Sequence, residues 1–338
     1  MASAAHKPVR HRVRSTGHGE ALLAYLTALI PVSESEVRAA IKQGRFRLEG
    51  GVVLGEESRL NAGQIILADV PDRSPKDPFL PPPPDILHEI YRDEHILAVY
   101  KPPGLLCHPM GTARLSAMSI AQDQLEREGQ RTELRPLHRL DRETSGVLLM
   151  ARTREADVAI KSMFEKRTVH KRYLALVHGH LKLESELVDE PIAPDDGPIR
   201  VRMRVHSRGK SAQTQLRVLE HFGSEEGFSW VEAIPFSGRT HQIRVHLAHL
   251  GHPVVGDKLY QGDGEAFLKK WHGELQLHDI EELGLPRHAL HASLMSLEHP
   301  LTDSGQIELT APTPSDLLEF ATRMGSRSGA KELTSDSS

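Results

Sequence analysis

Hydrophobic positions near the start of the chain follow two periods in turn. Leu22, Leu23, Leu26, Leu29 and Ile30 recur at helical spacing. Ser33 with Glu36 three residues on has the form of a capping box, which predicts a second short helix. Val37, Ala40 and Ile41 give that helix an apolar face, and Gly44 ends it. Arg45 to Leu48 and Gly51 to Leu54 then flank Glu49-Gly50 as a candidate hairpin. Asn61-Ala62-Gly63 turns into an apolar strand from Gln64 to Ala68. Residues 18–70 therefore read as a small αα-hairpin followed by short strands. Ahead of them, residues 1–17 are small and polar, with Lys7, Arg10, Arg12 and Arg14, and read as a disordered basic arm.

Pro71 to Pro84 contains seven prolines, a composition that resists packing and extends as a semi-rigid spacer. Residues 71–85 are read as the linker. From Ile86 the pattern becomes that of a mixed α/β domain, residues 86–325. Ile96 to Tyr100 is a strand run ending in the forced turn Lys101-Pro102-Pro103-Gly104. Val147 to Ala151 reads as a buried strand and Tyr173 to Val177 as another. Ala156, Ala159, Ile160 and Met163 mark an amphipathic helix between them. Ala212, Thr214, Leu216 and Val218 alternate, as do Val231 and Ala233. Ile243, Leu247 and Leu250 fit one helix face, with Thr240 as N-cap and Gly251 as the stop. The long separations between strands argue against simple βαβ repetition. Residues 326–338 are polar and read as a disordered tail.

The bulk numbers narrow the function classes. A chain of 338 residues favours two domains, and 38% hydrophobic residues suffice for a real core. No stretch approaches the roughly 18 apolar residues of a membrane span, and the basic N-terminus lacks the apolar core of a secretory signal. With the single cysteine, Cys107, neither an internal disulfide nor a cysteine-based zinc site is possible, which points to a reducing, cytoplasmic setting. A net charge of -4 argues against indiscriminate nucleic-acid binding. It leaves room for a local basic face, because the field at a groove depends on distribution. Pro198 to Arg217 holds Arg200, Arg202, Arg204, Arg208, Lys210 and Arg217 with no acid, and Arg135 to Arg172 is also basic.

Three segments carry candidate chemistry. In His138-Arg139-Leu140-Asp141-Arg142-Glu143-Thr144-Ser145-Gly146, Asp141 sits between two arginines ahead of a buried strand. Nearby cations keep a carboxylate ionised, and an ionised, positioned carboxylate is a nucleophile or a base. The same spacing also fits a structural Arg–Asp pair that fixes a loop. In Gly238-Arg239-Thr240-His241-Gln242-Ile243-Arg244, a helix starting near Thr240 would place Arg244 one turn in, where it can point back to an anion. Read alone, the segment equally fits a basic first turn with no partner. In Lys171-Arg172-Tyr173, Lys171 and Tyr173 share a strand face, so a ring stands beside a cation, as base stacking with phosphate contact requires. A core tyrosine is the competing reading. His246, His249 and His252 invite a metal. However, Gly251 and Pro253 break the helix before the third, and no acidic ligand accompanies them.

Taken together, these segments resemble the large ribosomal-type (RluA) pseudouridine synthases. The resemblance runs from about Ile90 to Leu309 in that family's order. It begins with Lys101-Pro102-Pro103-Gly104-Leu105 and His108-Pro109, then His138-Arg139-Leu140-Asp141 and Thr144-Ser145-Gly146. Lys171-Arg172-Tyr173, Gly238 to Leu247, Gly251-His252-Pro253, Gly256-Asp257 and Leu259-Tyr260 follow. Leu290-His291-Ala292 and Glu298 to Thr302 close it. The front domain is more loosely similar to the S-four-type RNA-binding domain. Ala21-Leu22-Leu23 stands where that domain has Arg-Leu-Asp, and Glu49-Gly50 replaces its Asn-Gly turn.

The resemblance implies an α/β (α+β) fold, with a mixed, mostly antiparallel curved sheet and a central cleft behind the small RNA-binding domain. It implies isomerisation of uridine to pseudouridine in structured RNA, with large-subunit ribosomal RNA as the favoured target and transfer RNA as the alternative. No cofactor, metal, membrane or protein partner is required, and a monomer is expected. Asp141 would be the catalytic carboxylate, attacking the anomeric carbon, adding to the base, or forming a glycal. Arg244 would hold it ionised, and Tyr173 would stack on the uracil. Arg139 would fill the gap left by the flipped nucleotide. Lys171, Arg239 and His241 would contact RNA, as would Arg38, Lys42 and Arg45 of the front domain. A glycoside-hydrolysing alternative would need a second convergent carboxylate, for which Glu143 is the neighbour in sequence.

Overall fold

A computed structural model describes residues 9–13, 18–29, 34–68, 77–109, 115–130, 132–182, 185–224, 227–302 and 305–328. The chain divides into two compact units. One is Met1–Lys76 with His108–Ser119, and the other is Asp77–Cys107 with Ile120–Ser338.

The first unit contains β1 (Val9–Arg12), α1 (Leu22–Leu29), α2 (Glu34–Lys42), β2 (Phe46–Leu48) and β3 (Ile65–Ala68). The strands form an antiparallel sheet in the order β1-β3-β2. Leu22, Leu26, Val37 and Ile41, the residues that set the helical period, meet Phe46, Leu60 and Ile66 in its core. The hairpin around Glu49-Gly50 forms, with Leu48 N donating to Val52 O at 2.8 Å and Leu54 N to Phe46 O at 2.9 Å. Ser33 of the capping pair, Ile30, and residues 1–8 and 14–17 of the arm lie outside the described residues. Composition predicts an arm without structure, yet Val9–Arg12 pair with Ile65–Ala68. Strand addition uses main-chain groups, so a basic sequence does not prevent it.

The second unit begins at Asp77, inside the segment expected to be a free spacer. Asp77 ion-pairs with Lys270 at 2.5 Å, and Leu80 packs beside Gly104. A proline-rich segment can still dock where its acid is buried against a cation. The unit continues through β4 (Glu89–Arg92), β5 (Ile96–Lys101), α3 (Ala117–Arg127, from Ile120 on), β6 (Arg135–Pro136), β7 (Ser145–Ala151), α4 (Arg154–Lys166) and β8 (His170–His178). Then come β9 (Ser185–Asp189), β10 (Ile192–Pro194), β11 (Met203–Val205), β12 (Gln213–Phe222), β13 (Phe228–Pro235) and α5 (Gln242–His249). α6 (Glu265–His272), α7 (Leu277–Leu283), β14 (Leu290–Glu298), β15 (Gln306–Thr310) and α8 (Ser315–Arg323) complete it. Of the tail, Ser326 and Arg327 are held by Glu220, and residues 329–338 lie outside the described residues.

Ten strands form one sheet in the order β4-β5-β7-β14-β8-β13-β12-β9, with β15 paired to β14 and β6 to β7. All its pairings are antiparallel except β7 with β14. The unit is therefore a mixed α/β domain with a mostly antiparallel sheet. β7 is buried along its whole length, as its unbroken apolar run requires of a central strand. Its pairing with β14 depends on Gly146. A Cβ there would stand 2.2 Å from the Ala292 carbonyl oxygen, and φ is +118°. This close approach brings the loop before β7 against the start of β14. No helix among the described residues is long and apolar enough to cross a membrane.

Candidate active site

The segment His138 to Thr144 is irregular, yet it is fastened at nearly every residue. His138 Nε2 accepts the Leu149 N–H at 2.9 Å, and burial lowers this ring's pKa to about 3, so it is a neutral structural acceptor. The Leu140 N–H donates to Cys107 Sγ at 3.0 Å, and the thiol lies 3.2 Å from Leu140 O. Lys101, fully buried, donates from Nζ to the carbonyls of Pro102, Leu105 and Arg142, each at 2.9 Å. Arg142 Nε bonds Gly104 O, and Thr144 Oγ1 bonds His288 Nε2 at 2.7 Å. The residues on both sides of Asp141 are thus pinned, and its side chain stays 19% exposed.

Arg244 reaches Asp141 from α5. Residues 242–247 of this helix are all buried, so it is enclosed rather than amphipathic. Its polar side chains find partners. Gln242 bonds Gln213 O and Thr214, and His246 bonds Thr214 Oγ1 and Glu190 O. Thr240 is not the N-cap. His241 holds that place in the left-handed region (φ 57°, ψ 18°), without a side-chain cap. Gln242 Oε1 takes the Arg239 N–H instead. Gly251 follows the helix as expected, at φ +83°.

Arg244 Nη1 donates to Asp141 Oδ2 at 2.8 Å. Its Nε and Nη2 form a fork onto Asp257, at 2.6 and 2.7 Å. The Tyr260 ring lies 5.0 Å from the guanidinium. One cation therefore serves two carboxylates, Asp257 buried and Asp141 half-buried. Burial pushes Asp141 up, but the Arg244 charge, the neighbouring His241 and His288 and the Arg244 hydrogen bond together outweigh it and hold the carboxyl well below the usual range. Asp257 is also held low against burial by Arg244. His241 and His288 stand near Asp141 too, but burial lowers them to about 4 and about 3. Both are neutral at pH 7, so Arg244 is the charge that matters.

Asp141 and Arg244 lie in a cleft of about 660 Å³, room for a nucleotide. Tyr173, Lys171, Arg139, Arg239 and His241 line the same cleft. Tyr173 is buried, and burial and then Asp141 raise its phenol, which stays protonated at neutral pH. Lys171 Nζ donates to Ser237 O at 3.3 Å, and burial lowers its pKa to about 8. Arg139 is exposed, and Arg239 Nε bonds Ser211 O. Glu143 points away into a buried clasp with Lys258 and Lys270, whose charges hold it low against burial. This carboxylate is thus engaged elsewhere and does not converge on Asp141. Among the described residues, no three His, Cys, Asp or Glu side chains group as a metal site.

The front-domain cations lie in the first unit. Arg38 is shared by Glu34 and Glu56, while Lys42 is exposed and Arg45 partly so. Asp257, Tyr260, His288 and Phe236 join the site without having been singled out by sequence. Asp257 and Tyr260 were visible only as members of the ordered motif set. Phe236 presents an aromatic side chain to the cleft, 43% exposed, and carried no motif signal.

A family model described as RNA pseudouridylate synthase matches residues 95–249. The ribosomal large subunit pseudouridine synthase D of Xylella fastidiosa is 35% identical over 304 residues, covering 88% of this chain and 86% of its own. The dual-specificity RNA pseudouridine synthase RluA of Vibrio vulnificus is 38% identical over 209 residues, 60% of this chain and 79% of its own. Human RNA pseudouridylate synthase domain containing 1, a solved structure, superposes with a TM-score of 0.55 at 29% identity, over 70% of this chain and 87% of that one. The chain belongs to the RluA family of RNA pseudouridine synthases, isomerases that convert uridine to pseudouridine in RNA.

Proposed function

We propose that this enzyme isomerises a uridine of large-subunit ribosomal RNA in the cytoplasm, as a monomer without a cofactor, using Asp141 as its catalytic carboxylate. The observation that carries the role of Asp141 is its pairing with Arg244 inside a nucleotide-sized cleft. The ribosomal target rests on the relatives named for it, one of which matches nearly the whole chain. The glycosidic bond is out of reach within a stack, so the uridine flips into the cleft. Arg139, exposed at the cleft, fills the gap it leaves. Tyr173 packs on the uracil, and its protonated phenol is a donor rather than a base at neutral pH. Asp141 breaks the bond to nitrogen as nucleophile or base. The base turns, carbon five bonds the sugar and loses its proton, and nitrogen one gains one, so no atoms are added overall.

The front domain is read as an RNA-holding module. Arg38 is already neutralised by two carboxylates, so Lys42, Arg45 and Arg47 carry its contact with phosphate. Mapping pseudouridines in a strain lacking this gene tests the target. At least one uridine of large-subunit ribosomal RNA is expected to lose its modification. Loss confined to transfer RNA would overturn the ribosomal reading.

Lys171 gives a pH signature. Its ammonium is charged below about 8 and is lost as pH rises through that value. The salt dependence of RNA binding is expected to be shallower at about pH 9 than at about pH 6.5, by up to roughly one counterion. In Lys171→Met the slope should not change with pH. A pH-independent slope in the wild type would remove Lys171 from the phosphate contacts.

A further inference from the structure

The two oxygens of Asp141 have different neighbours. Oδ2 accepts from Arg244, whereas Oδ1 faces His241 Nε2 across 4.0 Å. That gap is too long for a direct hydrogen bond. The orientation of the His241 ring is strictly held. Its Nδ1 lies 2.9 Å from the Tyr260 hydroxyl, whose oxygen also accepts the Met203 N–H at 2.9 Å. The phenol proton is then available to Nδ1, which places the imidazole proton on Nε2, facing Asp141. The two rings meet edge to face, 5.7 Å apart at 80°. The left-handed backbone at His241 is strained for a residue with a Cβ. It brings no cap to the helix. What it does bring is an imidazole only 12% exposed, lining the cleft beside the carboxylate.

A donor and an acceptor 4.0 Å apart leave room for one oxygen, about 2.8 Å from each. To bridge them it must accept from Nε2–H and donate to Oδ1, which a water does in the empty cleft and only a hydroxyl does among substrate groups. A uridine within an RNA chain has one such group. Its 3′ and 5′ oxygens are esterified, its phosphate and uracil oxygens only accept, and its N3–H only donates. The 2′-hydroxyl remains, one carbon from the bond that breaks. We propose that His241, held by Tyr260, is a substrate-positioning residue that clamps the ribose 2′-hydroxyl together with Asp141. The clamp selects ribose over deoxyribose and fixes the sugar for reaction. It rests on the reading of Asp141 as the carboxylate at the reacting sugar.

The test is a cycle between protein and substrate. A synthetic RNA that the wild-type enzyme turns over is made with uridine or 2′-deoxyuridine at the target. Nucleosides are separated by chromatography, and kcat/KM is compared for wild type, His241→Asn and Tyr260→Phe. Asparagine tolerates the left-handed backbone, so His241→Asn keeps the turn while withdrawing Nε2. Removing the 2′-hydroxyl is expected to cost the wild type roughly 10- to 100-fold. His241→Asn should lose a similar factor on the ribose substrate and at most about twofold more on the deoxyribose one. Tyr260→Phe frees the His241 ring and also takes the acceptor from the Met203 N–H, a loss common to both substrates; it should shrink the deoxy penalty in part, and it carries the comparison if His241→Asn does not fold. A merely structural His241 would lower both substrates by the same factor. Losses that multiply, or a wild type indifferent to the 2′-hydroxyl, would overturn the proposal. Substantial turnover by Asp141→Asn would instead remove the underlying reading of Asp141, so the two failures are distinct.

Discussion

Asp141→Asn is expected to lower isomerisation by on the order of 10³-fold or more while RNA affinity and folding stay close to wild type. The amide has the shape of the carboxylate but is neither an ionised nucleophile nor a base. The loop around it does not depend on the side-chain charge. Leu140 is held by Cys107, and the carbonyl of Arg142 by Lys101. The new amide can keep its oxygen toward Arg244, which retains its fork on Asp257. The measurements are tritium release from RNA labelled at carbon five of uracil, binding of the same RNA, and thermal unfolding. Turnover within tenfold of wild type would exclude Asp141 as the catalytic group.

The second large effect is at Arg244. Burial alone would push the Asp141 carboxyl up, and Arg244 is the strongest of the groups that together reverse that. The folded-state pKa is depressed, so in the wild type Asp141 remains ionised as pH falls to the usual carboxylate range and below. No acid limb from this group is expected at saturating RNA above about pH 4. Arg244→Ala leaves the buried Asp257 and the half-buried Asp141 without a cation. The expected cost is on the order of 3–5 kcal/mol in stability, with activity near zero at neutral pH. Arg244→Lys restores a charge but not a fork, and a lysine cannot span Asp141 and Asp257 with the same three bonds. It should recover part of the rate, with an acid limb at least one unit above that of the wild type. If Arg244 served only an RNA phosphate, the mutant would bind RNA more weakly and with a smaller salt dependence, and its pH profile would not move. An unshifted limb with a near-normal saturated rate would therefore end the proposed partnership.

The sequence by itself determined what depends on local order. The apolar runs marked β5, β7 and β8, and the period of Ala156, Ile160 and Met163 marked α4, because a strand or helix interior is set by neighbours within a turn or two. The ordered motifs named the family and brought Asp141, Tyr173 and Arg244 forward together. The resemblance already implied that Arg244 holds Asp141, but the geometry of that contact and the wiring around it came from the tertiary structure. Arg244 meets Asp141 across 103 positions, and no spacing rule encodes that contact. The same holds for Asp257 as second carboxylate and for Lys101 reaching Arg142 from 41 positions away. Two local expectations failed for a related reason. Thr240 has a good capping side chain, but the left-handed turn that starts α5 falls on His241, while Gln242 reaches back to the Arg239 N–H. The basic segment 9–12 suggests disorder, but an edge of β3 is completed by main-chain bonds that any sequence can supply. Local propensity is weak against a buried ion pair or an open strand edge, and both exist only once distant segments have met.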